Sequence, residues 1–322
     1  MLQARFVAGM ACAAFVASGT GLAYGQDFAD RPIRIVTAAP GGGADVVARI
    51  FAQGLTTDLG RQVIVDNRGG FVTIPAGIVT KANPDGHTVL LYPGTLWIAP
   101  LLQKVDYDPI KDFSPVSIAT TSPAVVVVSG SLAAKSVREL IALAKDQPGK
   151  LNYGSGASGS STHLAAEMFK SMTGANIVHV PFKGAGPAMI ALIAGQVQVM
   201  FASGGAAAPH VKSGRIRALA VTTPQPSALF PGLPTVSAAG VPGYEFSQVL
   251  GVFAPAGTPG KIIGLLSEAL ARTARQANVK ERLFAGGAEA VGSSPAQLSS
   301  AVKSEIERMG KVIKDANLRI GG

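Results

Sequence analysis

Short β-branched runs alternate along this chain with longer stretches whose apolar residues recur every three or four positions. The runs predict strands at Ile33–Thr37, Val63–Asp66, Thr88–Tyr92, Val116–Thr120, Val125–Val128, Leu151–Tyr153, Ile177–Val180, Val197–Phe201, Ile216–Val221 and Phe246–Phe253. The 3.6-periodic stretches predict helices over Asp45–Leu59, Ile74–Lys81, Ser136–Lys145, Thr162–Met172, Pro187–Ala194, Ala206–Lys212, Pro259–Ala274 and Pro295–Asp315. Pro259 and Pro295 stand where a first helical turn tolerates proline. This alternation predicts an α/β protein with parallel or mostly parallel sheets and helices on both faces.

Two breaker-rich stretches divide the pattern: Val128-Ser129-Gly130-Ser131 and Thr223-Pro224-Gln225-Pro226. They predict a second lobe over 129–225 inserted into a discontinuous first lobe, 26–128 with 226–322. A chain that crosses twice between lobes has a hinge there. Residues 1–25 carry Arg5, the apolar run Phe6 to Val16 and the small residues of Ala23-Tyr24-Gly25, which together read as a cleavable secretory signal and hence export. The run is short for a membrane anchor. Cys12, the single cysteine, lies inside that run and reads as an ordinary signal residue rather than a lipidation site. The mature chain then has neither disulfide nor thiolate metal site.

The formal net charge is +9. Lys and Arg are scattered, without a run of five and without interleaved aromatics, so the excess argues against nucleic acid and for a mild field that gathers small anions.

Candidate chemistry concentrates where strands run into glycine turns and helices leave them. The first such junction is Ala39-Pro40-Gly41-Gly42-Gly43-Ala44-Asp45. Bare glycines admit a ligand to the backbone, and the first N–H groups of a helix lack intrahelical acceptors and carry partial positive charge. Such a junction seats an anion. Asp45 either touches that seat or holds the loop. The second junction runs from Tyr153 to Leu164 through Gly154, Ser155, Gly156, Ser158, Gly159, Ser160, Ser161 and Thr162. Its glycines satisfy G-x-G-x-x-G, but the next strand ends in Pro181-Phe182-Lys183-Gly184 with no acid for a ribose, which argues against a dinucleotide. The hydroxyls suit a carboxylate, or simply cap the helix. Lys183 at the third junction points into the cleft or lies on a solvated face. Ser203 and Gly204 form a fourth junction. Thr95 and Trp97 follow a strand end, where Trp97 either walls a pocket or fills core.

Catalytic patterns are missing. Gly156-Ala157-Ser158-Gly159-Ser160 fails the G-x-S-x-G nucleophile elbow, and His87, His163, His179 and His210 form no H-x-x-H or H-E-x-x-H pair. His163 either packs on its helix or serves as a base beside the second loop.

Read together, Ala39 to Arg49, Val65-Asp66-Asn67-Arg68, Asn83-Pro84-Asp85-Gly86-His87-Thr88, Asp106 to Val116, Tyr153 to Leu164, Pro181 to Gly184, Gly214 to Val221, Pro234-Thr235-Val236 and Ala254 to Pro259 resemble, in order and spacing, the Bug-type solute-binding receptors of tripartite tricarboxylate transporters. The resemblance implies a type II periplasmic-binding-protein fold, two α/β lobes closing on a ligand like a flytrap. It implies a small organic carboxylate held by backbone N–H groups, docking on a membrane permease, no cofactor and no catalysis. The ligand expected here is a dicarboxylate or an aromatic acid, and the protein a monomer. Expected contacts are Ala39, Pro40, Gly41, Gly42, Gly43, Ala44, Asp45, Thr95 and Trp97 from the first lobe. The second lobe offers Ser155, Gly156, Ser158, Ser160, Thr162, Lys183, Ser203 and Gly204. The chain departs from the pattern at Phe71 and Val72, where glycines are usual, and at Val249, where a tryptophan is common. Two other classes stay open: a periplasmic enzyme using His163 or Lys183, and a sensory or docking receptor with an altered site.

Overall fold

The computed structural model describes residues 31–156 and 159–315; the expected signal segment, Cys12 and Ser158 lie outside them. In its first half, β1 (Ile33–Thr37) lies between parallel neighbours β2 (Val63–Asn67) and β3 (Thr88–Pro93). Alternation along β1 sends Ile33 and Ile35 to one face and Val36 to the other. On the first face pack α1 (Gly43–Leu59), α8 (Gly260–Arg275) and α9 (Ala277–Ala285), through Val47, Phe51, Leu266, Leu270 and Val279. On the other lie α2 (Thr73–Thr80), α3 (Thr95–Leu102) and α10 (Pro295–Asp315), through Val79, Trp97, Val302 and Met309.

The sheet is mixed, which corrects the mostly parallel arrangement expected from the sequence. The central strand is β4 (Phe113–Ser129), 17 residues long, where the sequence pattern suggested two short strands. From Phe113 to Pro123 it pairs antiparallel with β9 (Ser247–Pro255), which in turn pairs antiparallel with β3. From Ala124 onward it pairs instead with β7 (Val199–Ser203) on one side and β8 (Ile216–Val221) on the other, both antiparallel. Pro123, which has no N–H to give a ladder, sits at this exchange of partners. A chain that leaves one half of a sheet and returns to it lays its outgoing and incoming strands side by side in opposite directions, hence the antiparallel centre. The two-residue β10 (Glu289–Ala290) caps β4 at Thr120 and Thr121.

The second half continues from β7 to parallel β5 (Asn152–Ser155) and β6 (Val178–Pro181). Helices α4 (Val137–Asp146) and α5 (Ser161–Thr173) cover one face through Leu140 and Phe169. Helices α6 (Ala185–Ile193) and α7 (Gly204–Lys212) cover the other through Met189, Leu192 and Ala207. Helix α10 packs on both α3 and α5, so it bridges the halves. No helix among the described residues is long and apolar enough to cross a membrane.

Candidate functional site

At the first junction, Gly42 takes the extended N-cap conformation of α1 and Gly41 a left-handed one, φ 82°. Asp45 turns back into this loop. Its Oδ2 accepts the Gly41 N–H at 2.8 Å, its Oδ1 accepts from the Asn67 amide at 2.9 Å, and Arg49 pairs with it at 2.8 Å. Asn67 also donates to the Ala38 carbonyl at 3.0 Å. The Gly41 N–H holds the Asp45 carboxyl below the usual carboxylate range, helped by Asn67 and then Arg49. Asp45 is therefore a clamp that shapes the loop, and Gly41 spends its N–H on it. The N–H groups of Gly42, Gly43 and Ala44 have no acceptor among the described residues.

The second junction is tied to its own surroundings. Ser160 caps α5 by accepting the His163 N–H, and its hydroxyl lies 3.0 Å from that of Thr162. Ser155 is buried and hydrogen-bonded to His179 Nε2 at 2.7 Å. A Cβ on Gly156 would stand 3.1 Å from the Ala185 nitrogen, so this glycine serves the packing of the second junction on the third. Gly184 donates to the Gly156 carbonyl at 2.7 Å across the same contact.

Behind this loop, His163 and His179 stack with ring centroids 4.0 Å apart, and Tyr153 stacks on His179 at 4.9 Å. Tyr153 donates its hydroxyl to Glu167, which Lys170 also contacts at 2.7 Å. His163 Nδ1 accepts the Gly159 N–H at 2.8 Å. Burial, followed by the neighbouring His179, pushes the His163 pKa down to about 4. A buried neutral imidazole locked as an acceptor is a packing and loop-holding group.

Among the described residues, cavities open between the halves, and two of them take in expected positions. The larger, about 420 Å³, is lined by Gly43, Ala44 and Val47 of α1, by Ser203 and Gly205 at the start of α7, and by Ser122, Gln248 and Arg282. Here the halves touch through bare backbone: a Cβ on Gly205 would fall 2.6 Å from the Gly286 carbonyl oxygen. The smaller, about 250 Å³, is lined by Thr95, Ile98, Ser160, Ser161, Gln248 and Glu305 among others. Pro93, Gln248 and Leu250 are common to both.

The expected residues thus separate. Gly43, Ala44 and Ser203 meet at the larger cavity, Thr95 and Ser160 at the smaller. Ala39, Pro40, Gly41 and Gly42 are exposed beside the first seat. Lys183 is exposed and lines neither cavity. Thr162 is buried against Ser160, and Gly204 packs under Pro123 and Phe230. Trp97 is core rather than pocket wall: it is 1% exposed and its ring is tilted against Phe253 with centroids 5.8 Å apart.

Sequence reasoning missed Gln248, Ser122, Arg282 and Glu305. Glu305 carried a signal, a carboxylate on the apolar stripe Leu298, Val302, Met309, Val312 of α10. Its Oε2 accepts the Trp97 indole N–H at 3.0 Å, and burial pushes its pKa up to about 7, against the pull of Trp97 and Arg308.

Comparison with known proteins gives one answer. The pattern of the tripartite tricarboxylate transporter family receptor, TctC, matches residues 47–318. Protein BugT of Bordetella pertussis is 35% identical over 295 residues, covering 90% of this chain and 90% of its own. A solved R. palustris protein with adipate is 36% identical with a TM-score of 0.77, covering 91% of this chain and 99% of its own. MatC from Rhodopseudomonas palustris, with bound malate, is 30% identical with a TM-score of 0.73, covering 88% and 99%.

Proposed function

Since the chain belongs to the tripartite tricarboxylate transporter receptor family, a family of solute-binding receptors rather than enzymes, we propose that it captures a small organic carboxylate between its halves in the periplasm and presents it to a tripartite tricarboxylate permease. The observation that carries this reading is the row of unpartnered N–H groups at Gly42, Gly43 and Ala44, at the positive end of a 17-residue helix whose first turn lines a cavity between the halves. An anion there gains hydrogen bonds that no described residue supplies. Ser203 and Gln248 face the same cavity from β7 and β9 and complete the grip. Adipate and malate in the two solved relatives support a carboxylate as the ligand class.

The crossing strands support hinge closure as part of this reading. β4 changes partner at Pro123–Ala124 on the way out, the chain returns between β8 and β9, and a ligand that contacts both halves favours the closed population. A thermal-shift series with mono-, di- and tricarboxylates and aromatic acids tests the reading. Saturable stabilisation without turnover is expected for at least one of them. Absence of stabilisation by every acid, or turnover that His163→Ala abolishes, would sink it.

A further inference from the structure

The smaller cavity has ends of opposite electrical character. At one end stand Ser160 and Ser161, the cap and first residue of α5, where the helix presents partial positive charge. At the other stands Glu305 of α10. This side chain is 9% exposed, and one of its oxygens, Oε2, is taken by Trp97. The second, Oε1, has no hydrogen-bond partner among the described residues. It lies beside bare Gly94, another lining residue, where an added Cβ would stand 3.4 Å from it. Arg308, whose charge pulls on Glu305, is paired with Glu245 at 3.5 Å. Glu305 thus offers the cavity a carboxylate oxygen with an open acceptor position, and a hydrogen-bond donor brought by a ligand fills it. A second carboxylate brought to the same place meets repulsion from Glu305 and Glu245 instead.

We propose that Glu305 determines specificity in this cavity, selecting an organic acid whose far end carries a hydrogen-bond donor, ammonium before hydroxyl, over one that ends in a second carboxylate. The ligand's carboxylate stays on the α1 seat, and its far end reaches past Pro93, Gln248 and Leu250, which line both cavities, to place its donor at Glu305 Oε1. This assignment rests on the receptor reading above and narrows it.

Calorimetric titration of the mature protein at pH 8, where Glu305 is ionised, tests it. The probes are matched pairs of four, five and six carbons: succinate against 4-aminobutanoate, glutarate against 5-aminopentanoate, adipate against 6-aminohexanoate. For at least one length the amino acid should bind about tenfold or more tightly than the diacid. Glu305→Gln, which keeps an acceptor for Trp97, should bring that ratio to about one. Gly94→Ala crowds Oε1 without removing the carboxylate, so it should lower the ratio in a protein whose Glu305 is intact. Equal or inverted preference in the wild type overturns the assignment while leaving carboxylate capture standing, as does a ratio that neither variant moves. If no acid of the pairs or of the wider carboxylate series binds, the receptor reading falls together with this one.

Discussion

The hydroxyl of Thr222 accepts the Ala124 N–H at 3.0 Å and lies 2.9 Å from the Ala124 carbonyl and 2.7 Å from that of Phe246. Ala124 is where β4 changes partner, and Phe246 leads into the returning β9. The Phe246 N–H in turn donates to the Thr222 carbonyl at 2.8 Å. One fully buried side chain therefore ties the outgoing crossing to the incoming one.

Removing that hydroxyl leaves a buried N–H without an acceptor, at a cost of about 1–3 kcal/mol. Thr222→Val keeps the shape and should lower the urea midpoint accordingly, whereas Thr222→Ser should retain most of the stability. An unchanged midpoint in the valine variant would show that the tie is not a stabilising one.

The first junction could be read from the sequence because everything that makes it is local: a strand end, consecutive glycines and the first turn of a helix. The identity of its clamp could not, because Asp45 finds Asn67 only when β2 lies beside β1. The second loop looked rich in free hydroxyls for the same reason. Ser155 meets His179 and Gly156 meets Ala185 only through the parallel pairing of β5 with β6. Trp97 and Glu305 are separated by 208 residues, so neither the indole's burial nor the carboxylate's place in a cavity was visible in local pattern. The long β4 read as two strands because proline ordinarily interrupts a ladder; here Pro123 marks the point where one ladder hands over to another.

The His163 imidazole is neutral in the folded protein because Nδ1 must stay unprotonated to accept the Gly159 N–H. Its pKa is lowered from 6.5 to about 4, so between those values the unfolded chain binds the proton more readily than the folded one. The stability it contributes is fully present above pH 6.5 and is lost as pH falls toward 4. That loss is on the order of 2–3 kcal/mol. His163→Asn preserves an acceptor near Gly159 but cannot titrate, and its stability should fall less than the wild type's over that window. Denaturation midpoints at matched pH values measure the difference, and parallel profiles would remove His163 from the account.

Gly42 gives the most direct access to the anion seat. Its φ of −84° and ψ of 168° are open to any residue, and a Cβ there would meet nothing closer than the Ala39 carbonyl oxygen at 3.7 Å. Bulk at this position therefore disturbs the fold little; exchanging glycine for valine at an N-cap costs about 1 kcal/mol. The same bulk shields the N–H groups of Gly42 and Gly43 from a ligand that must approach the backbone closely. Affinity for the carboxylate that stabilises the wild type should fall stepwise through Gly42→Ala to Gly42→Val, by more than about a hundredfold at the end, because two charge-assisted hydrogen bonds are lost at about 1.5–3 kcal/mol each. Melting temperatures of the ligand-free variants should stay close to the wild type's, which separates a blocked seat from a damaged helix. Wild-type affinity in the valine variant would move the carboxylate away from this helix and toward the α5 end of the smaller cavity, where Ser160 and Ser161 stand.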